Sequence, residues 1–134
     1  MGLEQDNFTP QPTKDGSLTF FSQEFNEAFH SHYGAKQESY LKFAHPTQVK
    51  TVAKTGKVRI LDVCYGLGYN SAAALEVIWQ ENPTCVVEII ALELNPEVPK
   101  AAINYNIFND WEEKYKNILT ELAFENHCQL LVAV

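Results

Sequence analysis

The pattern of apolar and polar positions changes character near residue 57. The stretches Val58 to Cys64 and Cys85 to Leu92 are near-continuous apolar runs rich in β-branched residues. Such runs are typical of strands buried on both faces of a parallel sheet. Between them, residues 70–81 place apolar side chains at helical spacing. This half of the chain therefore predicts a strand, a helix and a second strand.

Two further helices and a third strand follow in the pattern. Asn95 and Pro96 form a cap and a first-turn proline, which predicts a helix to about Phe108. Residues 111–124 form an amphipathic helix, and the apolar run "CQLLVAV" at 128–134 predicts a strand. Alternation of this kind predicts an open α/β fold with about three parallel strands, flanking helices and right-handed crossovers.

The first 57 residues predict a different kind of structure. Residues 1–13 lack periodicity and are expected to be loose chain, and a turn at Asp15 and Gly16 leads into a short strand, Leu18 to Phe21. Apolar spacing predicts a helix from Ser22 to about His32, and another is expected from Pro46 to Lys54. We therefore divide the chain into an N-terminal extension, 1–57, and a larger α/β unit, 58–134.

Composition limits the class of protein. With 134 residues, 46% of them hydrophobic and 20% charged, the chain fits one globular domain. No apolar run is long enough to span a bilayer and the polar start does not fit a secretory signal, so we expect a cytoplasmic protein without membrane contact. Three cysteines in apolar runs and four histidines without metal-ligand spacing predict buried thiols, ordinary surface histidines and no metal site.

Charge is distributed unevenly along the chain. The formal net charge is −7, which argues against a nucleic-acid binder that uses its whole surface. Six of the ten basic residues nevertheless lie between Lys36 and Arg59, where Glu38 is the single acid. This stripe either meets phosphates or forms a solvated helix face, and the second interpretation is favoured.

The candidate ligand site is the glycine turn after the first apolar strand. Gly66 and Gly68 lie just beyond the strand end, where open parallel sheets bind ligands. Glycine there permits positive φ and lets a ligand approach the backbone. A dinucleotide fingerprint requires a third glycine at position 71, where this chain has Ser71, and this argues against a nicotinamide-dependent oxidoreductase.

Two acidic residues lie at the ends of the predicted strands. Asp62 ends the first strand and Glu93 ends the second. A carboxylate at Glu93 can accept both hydroxyls of a ribose, although it can also simply solubilise a strand end. Asp62 is a second candidate to contact the ligand, although it can also cap backbone amides. Adenosine without a pyrophosphate, beside a turn of small residues, indicates S-adenosylmethionine as the ligand.

Two motifs carry a resemblance to a known family. The stretch "ILDVCYGLGYN" resembles the first motif of class I methyltransferases, and more narrowly the GxGxN turn of the MnmC-like tRNA methyltransferases, matched by Gly66, Gly68 and Asn70. Upstream, "DGSLTFFSQEFNEAFHSHYGAKQES" resembles the N-terminal signature of that family. The resemblance covers roughly Phe8 to Pro96.

The resemblance implies a Rossmann-like fold and a specific reaction. Members of that family methylate the aminomethyl group of a modified wobble uridine in tRNA, with S-adenosylmethionine as the methyl donor, and form 5-methylaminomethyl-2-thiouridine. By the same resemblance, residues 34–39 fold over the methionine end of the cofactor and Glu38 is a candidate for its ammonium group. Cys64 departs from the pattern, because it stands where the methyltransferase motif often has a glycine.

Family members are much longer than this chain, which matches only the N-terminal portion of the fold. The groups expected to place the reacting amine lie in the unmatched half, so we expect little or no activity from this polypeptide alone. We also expect an unpaired edge on the first strand, which invites a second copy or a partner chain. The alternative function is therefore a non-catalytic cofactor-binding or structural module that requires a partner.

Overall fold

The computed structural model describes residues 8–128, and the predicted strand at 128–134 lies almost entirely outside them. An antiparallel three-stranded sheet comes first, and a parallel two-stranded sheet with helices follows. The strands are β1 Phe8–Pro12, β2 Leu18–Ser22, β3 Glu27–Ala28, β4 Lys57–Val63 and β5 Val86–Leu92. The helices are α1 Ala35–Glu38, a π-helical segment Ser39–Ala44, α2 Val49–Ala53, α3 Tyr69–Glu81, α4 Glu97–Asn104 and α5 Glu113–Glu125.

The α/β unit has the predicted order of elements. β4 and β5 pair in parallel with Val58 opposite Val87 and Asp62 opposite Ala91. Helix α3 connects them, as the crossover of a parallel pair requires. The predicted helices after β5 are confirmed, although α4 ends at Asn104 rather than near Phe108.

The N-terminal unit differs from the prediction in three places. Residues 8–12 are a strand instead of loose chain. The helix predicted from Ser22 to His32 is wrong: the chain reverses at Asn26, whose φ is 53°, and returns as β3. The helix predicted from Pro46 begins only at Val49, and the helical or mixed segment expected over residues 35–44 is a short α-helix that continues as a π-helix.

The core joins the two units. Phe20 of β2 is fully buried, and its ring meets that of Tyr105 edge to face at 5.4 Å between centroids. The Tyr69 hydroxyl donates to the Leu18 carbonyl at 2.6 Å, which ties the first turn of α3 to the hairpin. Trp79 stacks on Tyr115 and thereby holds α5 against α3. The N-terminal sheet is therefore fixed beside the start of α3.

The two faces of the β4–β5 sheet differ strongly. Val58 and Asp62 point toward the helices and are 3% and 8% exposed. The opposite face is open among the described residues, and its apolar side chains are between 52% and 64% exposed: Leu61, Val63, Val86, Ile90 and Leu92. The prediction of strands buried on both faces is therefore wrong for one face. The outer edge of β4 also has no strand partner within residues 8–128.

Candidate functional site

The bend after β4 contains three left-handed backbone positions, at every second residue. Cys64, Gly66 and Gly68 have φ values of 62°, 59° and 98°. A Cβ atom on Gly68 would lie 2.6 Å from the Tyr65 hydroxyl, whereas one on Gly66 would meet nothing closer than 3.7 Å. Gly68 is therefore required by the packing of the bend, and Gly66 leaves its outer side accessible.

Glu93 lies at this bend, as the sequence predicted. Its Oε2 accepts the amide of Gly66 at 2.7 Å, and its Oε1 accepts the amide of Asn95 at 3.1 Å. The side chain is half-buried, and each carboxylate oxygen keeps a second lone pair for a further donor. The carboxylate is thus held in place and still able to accept ligand hydroxyls.

Asp62 has a different environment from Glu93. It is buried, and its Oδ2 accepts the Ser71 hydroxyl at 2.5 Å. Burial raises the pKa of the Asp62 carboxyl, the Ser71 hydrogen bond opposes this, and the nearby charge of Glu93 adds to it. Asp62 thus joins β4 to α3 through a side chain, which neither sequence interpretation foresaw. The residue that breaks the dinucleotide pattern, Ser71, is the one that makes this bond.

Asn70 is the second residue of α3 and lies beside Asp62 rather than against Glu93. Its Oδ1 is buried and has no hydrogen-bond partner in the described structure. The residue lines a groove of about 310 Å³ that runs between β4 and the segment containing α2. The three residues that match the GxGxN pattern therefore have different places: Gly66 and Gly68 shape the bend, whereas Asn70 faces the groove along β4.

Glu38 makes contacts within the protein. Its Oε2 accepts the amide of Ser31 at 3.0 Å, and its Oε1 lies 3.4 Å from Nδ1 of His30. Lys42 approaches the same carboxylate at 3.9 Å. These contacts hold the segment after β3 against α1. The role of Glu38 as a ligand for the cofactor ammonium stays a prediction.

His30 corrects the expectation of ordinary surface histidines. Only 10% of its side chain is exposed, and its ring meets that of Tyr69 edge to face at 5.2 Å. Burial lowers the pKa of His30, while the charge and hydrogen bond of Glu38 act in the opposite direction. The ring of the preceding residue, Phe29, comes within 3.9 Å of the position that a Cβ on Gly66 would take. The segment after β3 therefore backs the glycine bend.

The upstream motif "DGS" positions the start of α1. Asp15 accepts the amides of Ser17 and Gln37, both at 2.9 Å, and the hydroxyl of Thr13 at 2.8 Å. Burial alone would raise the pKa of Asp15, but these hydrogen bonds together lower it to about 2. A Cβ on Gly34 would lie 2.5 Å from Asp15 Oδ2, so glycine is required there. The two parts of the N-terminal signature are thus in direct contact.

Ion pairs account for much of the basic stripe. Lys50 and Lys54 lie 3.9 and 3.7 Å from Glu81, and Arg59 lies 3.2 Å from Glu88 across the open sheet face. These contacts are typical of a solvated face, the interpretation that the sequence favoured.

The cysteines do not all behave as predicted. Cys85 is buried, Cys128 is half-buried and Cys64 is exposed at the bend. Within residues 8–128 no three His, Cys, Asp or Glu side chains converge as metal ligands. No helix in the same range combines the length and apolar character that crossing a bilayer requires.

The fold and the bend can now be compared with known proteins. The structure is similar to the crystal structure of MnmC2 from Aquifex aeolicus, with a TM-score of 0.65 and 41% sequence identity over 69% of this chain. An uncharacterized protein of Methanocaldococcus jannaschii is 40% identical over 63 residues, which is 47% of this chain. No protein-family model matches the chain.

The similarity to the Aquifex structure supports an MnmC-like relationship and a mixed α/β fold with a parallel sheet. The chain spans 31% of the Aquifex chain and 17% of the archaeal protein. The similarity therefore concerns one portion of each longer protein.

Proposed function

We propose that this chain is the cofactor-binding portion of an S-adenosylmethionine-dependent methyltransferase that modifies tRNA. The proposed acceptor is the aminomethyl group of a modified wobble uridine. The observation that carries the proposal is the contact between Glu93 and the amide of Gly66, because a carboxylate beside a glycine bend is suited to accept ribose hydroxyls. The similarity to Aquifex MnmC2 adds independent support.

The residues of the bend fit the adenosine part of this cofactor. Glu93 offers two oxygens with free lone pairs to the ribose hydroxyls. The open side of Gly66 allows the sugar to approach the backbone without a Cβ in the way. When bound, S-adenosylmethionine supplies a methyl group on a sulfonium, and the protein contributes mainly orientation.

Isothermal titration of the chain with S-adenosylhomocysteine, S-adenosylmethionine and NAD tests the proposal. We expect binding of the two adenosyl sulfur compounds and none of NAD. Binding of NAD alone would indicate an oxidoreductase, and binding of none of the three would indicate a structural module. A radiolabelled methyl-transfer assay on undermodified tRNA is expected to give little turnover with this chain alone.

A second candidate function is a non-catalytic module that associates with another polypeptide. The observation that favours it is that, within residues 8–128, the outer edge of β4 has no strand partner and lies beside an open apolar sheet face. Parallel sheets are normally covered on both faces, so this surface is suited to a partner or a second copy. Light scattering at high protein concentration distinguishes a monomer from a self-associated form. A strict monomer would count against association through this surface.

A further inference from the structure

A surface cavity beside α1 has the construction of a nucleobase site. It has a volume of about 180 Å³ and is lined by Tyr33, Gln37, Leu41 and Lys42, together with Ser31, Gly34 and Glu38. This volume lies below the ~300 Å³ at which pockets for larger ligands begin. The cavity therefore suits one small planar group rather than a whole dinucleotide or cofactor.

Two of the side chains that line the cavity present apolar surface to solvent. Tyr33 is 61% exposed and Leu41 is 58% exposed. The Tyr33 ring lies 4.3 Å from the His32 ring, centroid to centroid. An unstacked base gains most of its protein contact from aromatic faces of this kind.

The backbone under Tyr33 is fixed although its side chain is exposed. Its amide donates to the Ser31 hydroxyl at 3.2 Å. The next residue, Gly34, is packed against Asp15, and the Lys14 amide donates to the His32 carbonyl at 2.9 Å. An exposed aromatic on a backbone held at three points loses little conformational entropy when it binds a ligand.

Polar groups and charge around the cavity match a nucleotide. Gln37 and Ser31 carry donors and acceptors that suit a base edge. The ammonium of Lys14 lies 4.6 Å above the Tyr33 ring, and Lys42 lines the cavity. The nearby carboxylate of Glu38 accepts from the Ser31 amide and lies 3.4 Å from His30. It also lies 3.9 Å from the ammonium of Lys42, whose side chain is 69% exposed and can turn from this pair toward a phosphate. Although the net charge of the chain is −7, the rim of this cavity carries two lysines, Lys14 and Lys42, beside the Tyr33 ring.

We propose that the cavity of Tyr33, Gln37, Leu41 and Lys42 binds one unstacked base of a single-stranded RNA, with the adjacent phosphates on Lys14 and Lys42. The inference rests on the proposed function, because a modified wobble uridine is presented in a single-stranded loop. It adds to that function a location for the RNA on the hairpin side of the molecule. The base stacks on Tyr33 and displaces the Lys14 ammonium from the ring toward a phosphate.

The test is fluorescence anisotropy of the whole chain with a short, labelled, uridine-rich single-stranded RNA. Tyr33→Ala is expected to weaken binding about 5- to 150-fold, the loss of one base–aromatic stack. Tyr33→Phe keeps the ring and is expected to bind like the unaltered chain. Phe25→Ala is the matched control, because Phe25 is 73% exposed but lies on the turn between β2 and β3.

The phosphate contacts have their own readout. Each of Lys14→Ala and Lys42→Ala is expected to reduce the slope of log affinity against log salt by about 0.7. Lys57 is the first residue of β4 and lies at the opposite end of that strand from the glycine bend. Lys57→Ala removes the same charge and is expected to leave the salt slope unchanged.

Several outcomes would overturn the inference. They are an unchanged affinity for Tyr33→Ala, an equal loss for Phe25→Ala, or displacement of the RNA by S-adenosylhomocysteine, which would assign the cavity to the cofactor. Equal, Tyr33-dependent binding of an acidic peptide would assign it to a protein partner. Titration of the same variants with S-adenosylhomocysteine keeps the two proposals separate, because Tyr33→Ala is expected to bind it normally. Loss of RNA binding and loss of cofactor binding are therefore distinct failures.

Discussion

The ends of β4 and β5 each carry one carboxylate, and the two carboxylates lie in opposite environments. Asp62 is 8% exposed and is bonded to the hydroxyl of a helix residue, Ser71. Glu93 is half-buried and is bonded to the backbone amides of Gly66 and Asn95. A buried side-chain bond fixes the sheet to α3, whereas a carboxylate held by amides at an open bend stays available to a ligand. The carboxylate of β4 thus contributes to packing, whereas the carboxylate after β5 keeps the lone pairs that the proposed ribose contact requires.

The largest expected effect is on the packing side, from Gly68→Ala. The added Cβ would lie 2.6 Å from the Tyr65 hydroxyl at a φ of 98°, so we expect the free energy of unfolding to fall by about 2–4 kcal/mol. Gly66→Ala is the matched control, with an expected loss of only about 1 kcal/mol because no atom lies within 3.7 Å. Urea denaturation measures both. Equal losses would contradict the division between the two glycines.

The next effect is on the binding side, from Glu93→Gln. Glutamine has a single acceptor oxygen for the two amides of Gly66 and Asn95, so we expect the free energy of unfolding to fall by about 1 kcal/mol. Affinity for S-adenosylhomocysteine is expected to fall about 10- to 100-fold, because a hydrogen bond to a charged acceptor is lost. Isothermal titration measures this, with Glu88→Gln on the open sheet face as the control. A loss of stability without a loss of affinity would make Glu93 a purely structural residue.

A smaller effect concerns pH, through Asp62→Asn. The pKa of Asp62 is raised in the folded chain, so its contribution to stability is greatest below its unfolded pKa and declines as pH rises through the folded value. The asparagine variant cannot ionise and still accepts from Ser71. We expect its stability to decline less between acidic and neutral pH, as followed by thermal unfolding. The same pH dependence in both proteins would mean that Asp62 titrates normally.

The pKa of Asp15 is shifted in the opposite direction to that of Asp62, so its contribution to stability has the opposite pH dependence. Its pKa is lowered to about 2, so its contribution is present above the ordinary value of 3.8 and is lost as pH falls toward 2. Asp15→Asn is therefore expected to flatten the acid limb of the stability curve. An acid limb that stays as steep as in the unaltered chain would refute the hydrogen-bonded, ionised state of Asp15.

The smallest effect is expected from Cys64→Gly. Cys64 has a φ of 62°, which strains a residue with a Cβ, so glycine is expected to raise stability by about 0.5–1 kcal/mol. Cys64→Ala keeps the Cβ and is expected to leave stability nearly unchanged. Urea denaturation of the pair measures the difference. A loss of stability with glycine would show that the thiol contributes contacts that outweigh the strain.

The α/β unit was predictable because its signals are long and mutually consistent. The apolar runs at β4 and β5 and the helical spacing of α3 each extend over several residues. The two glycines fall between the end of β4 and the start of α3, so a bend is expected there. The contact between Gly66 and Glu93 follows from this topology, because parallel strands end at the same edge of a sheet. The ligand that this contact serves stays a prediction.

The N-terminal unit was less predictable because its signals are short. Phe25, Ala28 and Phe29 have helical spacing, yet Phe25 is 73% exposed and its amide donates to the Ser22 hydroxyl to form a turn. Left-handed Asn26 then reverses the chain. The burial of His30 and the contact of Asp15 with Gly34 depend on tertiary packing between segments, which spacing along the chain does not encode.

The bare side of β4 and β5 has a consequence for how the molecule behaves in solution. Among residues 8–128, five aliphatic side chains on this face are more than half exposed, so covering them with an apolar partner is favourable. By mass action, a cover that binds only the folded form raises the melting temperature in proportion to the logarithm of its concentration. We therefore expect the melting temperature to depend on which apolar partners are bound as well as on the sequence.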